Sequence, residues 1–229
     1  MPKLYMISQK THKLFHLLIF TVLIFTLSTF SIHNAHATSN TLDATFCATM
    51  GGTWNTDTCT ITNQYTIPPD EELIIPSGTD LVISNTNGIG IYSFGTIINS
   101  GTITVSNTGM NSFAIHNEGI IYNSGTVTIS ATGFAYGIEN VGTINNSGTI
   151  TVSDAGDGRF GIYNSGTITN NSGGTITVPN THDNGIYNSG TITNNSGGTI
   201  TVSNSNNSAG IINSGGFIDN SGTITVSND

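Results

Sequence analysis

Residues able to do chemistry are sparse in this 229-residue chain, and their spacing decides what chemistry is open to it. Glu118 and Glu139 come nearest to a paired-carboxylate site. A glycoside-cleaving pair needs its carboxyls roughly 5–10 Å apart, one protonated and one ionised. These two fall in neighbouring repeats but in adjacent columns, and adjacent strand positions face opposite sides of a sheet. After Lys13 the only Lys or Arg is Arg159, so a lyase constellation has no base to build on. The residues predict no catalytic site and no cofactor.

Metal chemistry has equally thin support. His116 and His182 stand apart, with no second His or Cys beside either, whereas a zinc site needs three or four N or S ligands together. Two stretches, "DAGDGRF" (154–160) and "NTHDNG" (180–185), concentrate carboxylates. Counted back from the following "GIYNSG", Arg159 and Asp183 share a column and can pair. Counted forward from the preceding strand, Asp157 and Asp183 share it instead. With Asp154 they then form a weak Ca²⁺ candidate. Simple solvated loops are the plain alternative. Cys47 and Cys59, an even pair, predict a disulfide worth about 3 kcal/mol.

Positioning must come from a repeat. "GIYNSGTITNNSGG" occurs identically at 161–174 and 185–198. Alignment of the "NSGTITVS"-like ends gives Ser84, Ser106, Ser130, Ser153, Pro179, Ser203 and Ser227, at intervals of 22, 24, 23, 26, 24 and 24 residues. Each unit holds three short phrases, "GIYNSG", "GTITNNSG" and "GTITVS". In the third, Ile and Val alternate with Thr, the period-two signature of a strand. Ile91, Ile115, Ile138, Ile162, Ile186 and Ile211 make one aliphatic column, and Ile97, Ile121, Ile144, Ile168, Ile192 and Ile218 another. A unit this small cannot bury its apolar face alone; stacking closes three ladders around one core. The expected fold is all-β, a parallel β-helix (β-solenoid) of about six to seven coils of ~24 residues. Gly95, Gly119, Gly142, Gly166, Gly190 and Gly215 are expected at corners with positive φ. Stacked asparagines are expected beside them, in the columns Asn117–Asn140–Asn164–Asn188–Asn213 and Asn99–Asn123–Asn146–Asn171–Asn195–Asn220.

Alternation also predicts what faces outward. Thr102/Thr104, Thr126/Thr128, Thr149/Thr151, Thr175/Thr177, Thr199/Thr201 and Thr223/Thr225 form two rows opposite the aliphatic ladder. Tyr92, Tyr163 and Tyr187 form a stripe in which His116, Glu139 and Ile212 take intervening places. That stripe is either a contact surface for sugars or cross-strand packing.

The ends differ from the middle. Lys3, Lys10 and Lys13, the apolar 14–30 and "AHA" at 35–37 read as a signal peptide over 1–37. Residues 38–75, with Trp54, the cysteine pair and "PPDEE", read as an N-terminal cap, and 76–229 as the repeats. Removal of 1–37 leaves Arg159 against thirteen acids, a net charge of −12. Such a chain repels nucleic acid and anionic lipid. No later segment is apolar enough to span a bilayer. The final "TVSND" carries no cap-like residues, so the C-terminal edge is expected either to stack on a partner or another copy, or to stand as a tolerated edge blunted by Asp229. N-x-S sequons at Asn145, Asn170, Asn194 and Asn206 are open to glycosylation where the host provides it.

The "GIYNSGTITNNSGGTITV" units resemble the coils of secreted surface β-helix proteins, such as adhesins and autotransporter passenger regions. The resemblance covers about 145 residues. It implies display at or beyond the cell surface and attachment to other surface proteins, glycans or copies of itself. The Thr-x-Thr rows are similar to the face of β-solenoid antifreeze proteins, which implies ice binding as an alternative. Glycan binding is a further alternative, and polysaccharide lyase or hydrolase activity a more remote one.

Overall fold

The computed structural model describes residues 38–85, 88–107, 113–131, 135–153, 160–181, 184–204 and 209–228, all within the compact unit Ala37–Asp229. The signal peptide expected over 1–37 lies outside the described residues.

The chain winds as a parallel β-solenoid whose three phrases become three sheets. Sheet 1 has seven strands, Tyr65–Ile67, Ile91–Ser93, Phe113–Asn117, Tyr136–Asn140, Ile162–Asn164, Ile186–Asn188 and Ile211–Asn213. From the first to the last the chain makes six turns. Sheet 2 has eight strands, running Thr38–Thr41, Glu71–Ile75, Thr96–Asn99, Ile120–Asn123, Thr143–Asn146, Thr167–Asn170, Thr191–Asn194 and Phe217–Asn220. Sheet 3 has nine, among them Asp80–Asn85, Thr102–Asn107, Thr126–Ala131, Thr149–Ser153, Thr175–Thr181, Thr199–Asn204 and Thr223–Asn228. Register follows the repeat: Ile115 lies beside Ile91 and Ile138, Ile121 beside Ile97 and Ile144.

The core is the interior of this tube. Ile and Val of all three columns are at most 4% exposed from Ile91 to Val202. Alternation explains it, because every second residue of each strand must point inward. The core opens at the last coil, where Ile211, Ile218 and Ile224 are only partly buried and Val226 is 47% exposed.

Corner glycines do a different job from the one expected. Of the six, only Gly215 has positive φ (77°). At Gly119 an added Cβ would lie 1.9 Å from the Gly95 carbonyl oxygen, and at Gly142 2.1 Å from that of Gly119. These carbonyls accept from the next coil, as in Thr143 N to Gly119 O at 2.9 Å. Glycine is required because backbone stacks directly on backbone.

The asparagine columns are inside, except for their exposed last members, Asn213 and Asn220. Asn99, Asn123, Asn146, Asn170, Asn194 and Asn220 form one, and Asn117, Asn140, Asn164, Asn188 and Asn213 the other. The former corrects the expected Asn171 and Asn195 to Asn170 and Asn194. The "NNSGG" coils insert their extra residues in the turn, where Gly173 and Gly197 have φ of 80° and 82°. The strand count from Ile168 and Ile192 is therefore kept. Asn146 Nδ2 donates to Asn170 Oδ1 at 2.8 Å, Gly148 O at 3.1 Å and Thr175 O at 3.2 Å. The first asparagine of each column has a buried Oδ1 without a donor, at Asn99 and Asn117. Their predecessors in the columns are Ile75 and Ser93, and the Ser93 hydroxyl donates instead to Gly95 O.

At the N-terminal side Asp43 caps helix α1, Ala44–Thr49, by accepting from Phe46 N at 2.7 Å. An antiparallel hairpin, Thr53–Asn55 with Thr58–Ile61, follows, its turn at Thr56 and Asp57 in the left-handed region. Cys47 and Cys59 form the disulfide, with Cα atoms 5.6 Å apart, and both are fully buried. Gly52 lies over it, leaving no room for a side chain. Phe46 meets Tyr65 edge to face, and burial, with the Glu71 charge adding to it, pushes the Tyr65 phenol up to about 12. Parallel pairing reaches back through this region: Thr38–Thr41 pair with Glu71–Ile74, and Thr58–Ile61 with Asp80–Ile83.

Candidate functional site

The interior is filled by side chains, and each sheet turns one face outward. The three are chemically unlike.

Sheet 1 is aromatic and largely committed to itself. Tyr163 and Tyr187 stack with ring centroids 5.0 Å apart and planes within 2° of parallel. Tyr92 meets His116 edge to face at 4.6 Å. A second column that the sequence reading missed, Phe113, Tyr136 and Phe160, links the rest, with Phe113–Tyr136 stacked at 4.9 Å. Its signal is an aromatic two residues before the buried Ile of each phrase, in "FAIH", "YGIE" and "FGIY". Rings stacked along the tube cover one another's faces, which are the surfaces a sugar would need. The geometry favours cross-strand packing here.

One polar cluster interrupts the stripe. His116 Nδ1 lies 2.5 Å from Glu139 Oε2, and Nε2 3.1 Å from Glu118 Oε1. The Tyr92 hydroxyl donates to Glu118 Oε1 at 2.8 Å. The two glutamates thus share a centre after all: His116 and Glu139 are strand neighbours, and Glu118, past the corner, folds back to reach both Tyr92 and His116. The Tyr92 bond first, then His116, holds the Glu118 carboxyl below its ordinary range, and the same bond raises the Tyr92 phenol. Glu118 Oε1 and Glu139 Oε2 are thus both turned on His116. Among the described residues no three His, Cys, Asp or Glu side chains are arranged to hold a metal.

Sheet 3 is the contrary case. Thr102, Thr126, Thr149, Thr175, Thr199 and Thr223 lie in register, as do Thr104, Thr128, Thr151, Thr177, Thr201 and Thr225. No hydroxyl of these twelve has a hydrogen-bond partner among the described residues. Ser106, Ser130, Ser153, Ser203 and Ser227 extend the same face, and Pro179 takes one place at a bulge after Val178. No outward residue from Thr102 to Ser227 in this sheet is charged. Threonine has one or two stiff rotamers, and strand geometry sets a grid of about 4.8 Å along the tube and about 6.6 Å along each strand. The result is a rigid, neutral array of hydroxyls and methyls with nothing among the described residues to satisfy the hydroxyls.

No family model, no curated protein and no solved structure matches this chain. The reading of its faces therefore rests on their own geometry.

The sequons separate by environment. Asn170 and Asn194 are fully buried, their Nδ2 atoms bonded within the ladder at 2.8 and 2.7 Å. A glycan on either would have to break that column. Asn145 lies on the outer row of sheet 2, beside Tyr122 and Thr169. Asn206 lies outside the described residues, as do the candidate Ca²⁺ ligands Asp154, Asp157 and Asp183, together with Arg159 and His182.

Proposed function

We propose that this chain is an exported, non-catalytic β-solenoid that serves as a structural or adhesive element at or beyond the cell surface, working through extended faces. The observation that carries this is the neutral threonine face of sheet 3: twelve in-register hydroxyls without hydrogen-bond partners among the described residues. A repeated surface of this kind makes many weak, identical contacts along its length. The Cys47–Cys59 disulfide supports an oxidising compartment, and the Lys-flanked apolar run ending in "AHA" supports export.

Cell fractionation with N-terminal sequencing tests it. The expected result is a chain beginning at Thr38 in the envelope or the medium. A full-length chain confined to the cytoplasm contradicts it.

A second reading is ice binding, favoured by the absence of charge on the same face and by its unbroken register over six strands. Thermal hysteresis by the purified protein would support it. None at high concentration removes it.

A further inference from the structure

Sheet 2 carries the least committed aromatic ring among the tyrosines. Tyr122 is 47% exposed. Every other described tyrosine touches another ring, whereas Tyr122 has no ring partner among the described residues. Its neighbours in the outer row are Ile98 on one side and Asn145 on the other, neither of which stacks on it as Tyr163 stacks on Tyr187. Beside it opens a shallow depression of about 350 Å³, lined by Ile98, Tyr122, Ser124, Asn145, Ser147 and Asn171, among others. That is small-ligand size.

The polar wall of the depression is held in place by the repeat. Ser124 donates to Asn99 O at 3.1 Å and lies 3.2 Å from the Ser100 hydroxyl. Asn171 donates to the Ser147 hydroxyl at 3.2 Å and accepts from Asn195 at 3.2 Å. Asn145, in contrast, has no side-chain partner among the described residues, so its amide offers both donors and an acceptor. No lining residue is charged, in a chain whose formal net charge is −9. The composition of the site is therefore an open aromatic ring, a free amide and fixed hydroxyls, without ions. The depression is open to solvent and crosses several coils, so it suits a segment of a chain better than an isolated, enclosed molecule.

We propose that this depression is a subsite for a neutral polysaccharide, with the C–H face of one sugar ring packed on Tyr122 and its hydroxyls bonded to Asn145 and the Ser124–Ser147–Asn171 wall. The proposal rests on the adhesive reading above and names its ligand class. Anionic polymers are disfavoured by the chain's acidity, and no cation in the lining would hold them. Aromatic packing supplies most of the affinity, and the amide supplies orientation.

The test is affinity electrophoresis of the full chain, made in a host without N-glycosylation so that Asn145 stays bare. The probes are laminarin, mannan, xylan and soluble chito-oligosaccharides, with alginate and heparin as anionic polymers. The expected result is retardation by at least one neutral polymer and by neither anionic one. Tyr122→Ala weakens that binding at least tenfold, Tyr122→Phe less than threefold, and Asn145→Ala about threefold, all with parental far-UV spectra and melting temperatures. Tyr187→Phe, on the packed stripe, leaves binding unchanged. No retardation by any neutral polymer, or equal retardation of the Tyr122→Ala variant, overturns the proposal. Because binding is read on purified protein, a negative result leaves the export reading standing. A cytoplasmic location in the fractionation would remove export without touching the subsite.

Discussion

The solenoid stacks polar residues in two ways, and the contrast between them separates architecture from function. Inside, nine buried asparagines, continued by the exposed Asn213 and Asn220 at the end of the tube, form two columns in which each Nδ2 finds the next Oδ1 or, at that end, a carbonyl of its own turn. Outside, twelve threonines keep the same register, and none of their hydroxyls has a hydrogen-bond partner among the described residues. The repeat is the same in both; the environment differs. A buried amide must be satisfied within the fold, because leaving it unpaired costs about 1–3 kcal/mol per group. An exposed hydroxyl has water, so its regular placement is free for another use.

The spacing common to both columns is set by the corner glycines, and breaking it should have the largest effect. Gly142→Ala puts a methyl against the Gly119 carbonyl, 2.1 Å away. Urea unfolding should show a loss above about 4 kcal/mol, or no cooperative fold. A loss under about 1 kcal/mol would mean that the stack can dilate. Next comes Asn146→Ala, which leaves Asn123 Nδ2 and Asn170 Oδ1 short of a partner. The expected cost is about 3 kcal/mol. The matched outer change, Thr151→Ala, should stay within about 0.5 kcal/mol. Equal costs for the two would dissolve the distinction.

Much of this was legible in the sequence, and the misses have physical causes. Period two from Ile168 already turns Asn170 inward; aligning on "NS" misplaced the column by one because the "NNSGG" turn absorbs the extra residues. His116 and Glu139, each following a buried Ile, could have been paired by the same count. Glu118 could not, since it lies beyond the strand and reaches back across the corner. The glycines were found but explained wrongly: a close approach between coils leaves the same mark in a sequence as a positive φ. The subsite around Tyr122 escaped notice because it joins an outer row to a corner, two columns that no single phrase contains.

The inner column can be repaired as well as damaged. Ser93→Asn supplies the donor that the buried Asn117 Oδ1 lacks. It should raise stability by about 1 kcal/mol, read as a higher melting temperature; a fall would show that the column cannot be lengthened. A smaller effect belongs to the exposed cluster. Because the folded-state Glu118 value lies below the unfolded one, its contribution is present above the ordinary glutamate range, about pH 4.3, and is lost as pH falls through the lowered value. Glu118→Gln should flatten that part of an acid melting curve and leave the neutral part nearly unchanged.

The most direct test of the central claim, that inner columns build and the outer row works, is envelope retention of a triple variant, Thr128→Ala, Thr151→Ala and Thr177→Ala, in its own host. The account predicts a folded, exported protein with a parental melting temperature that is released into the medium. Retention equal to the parent would contradict it.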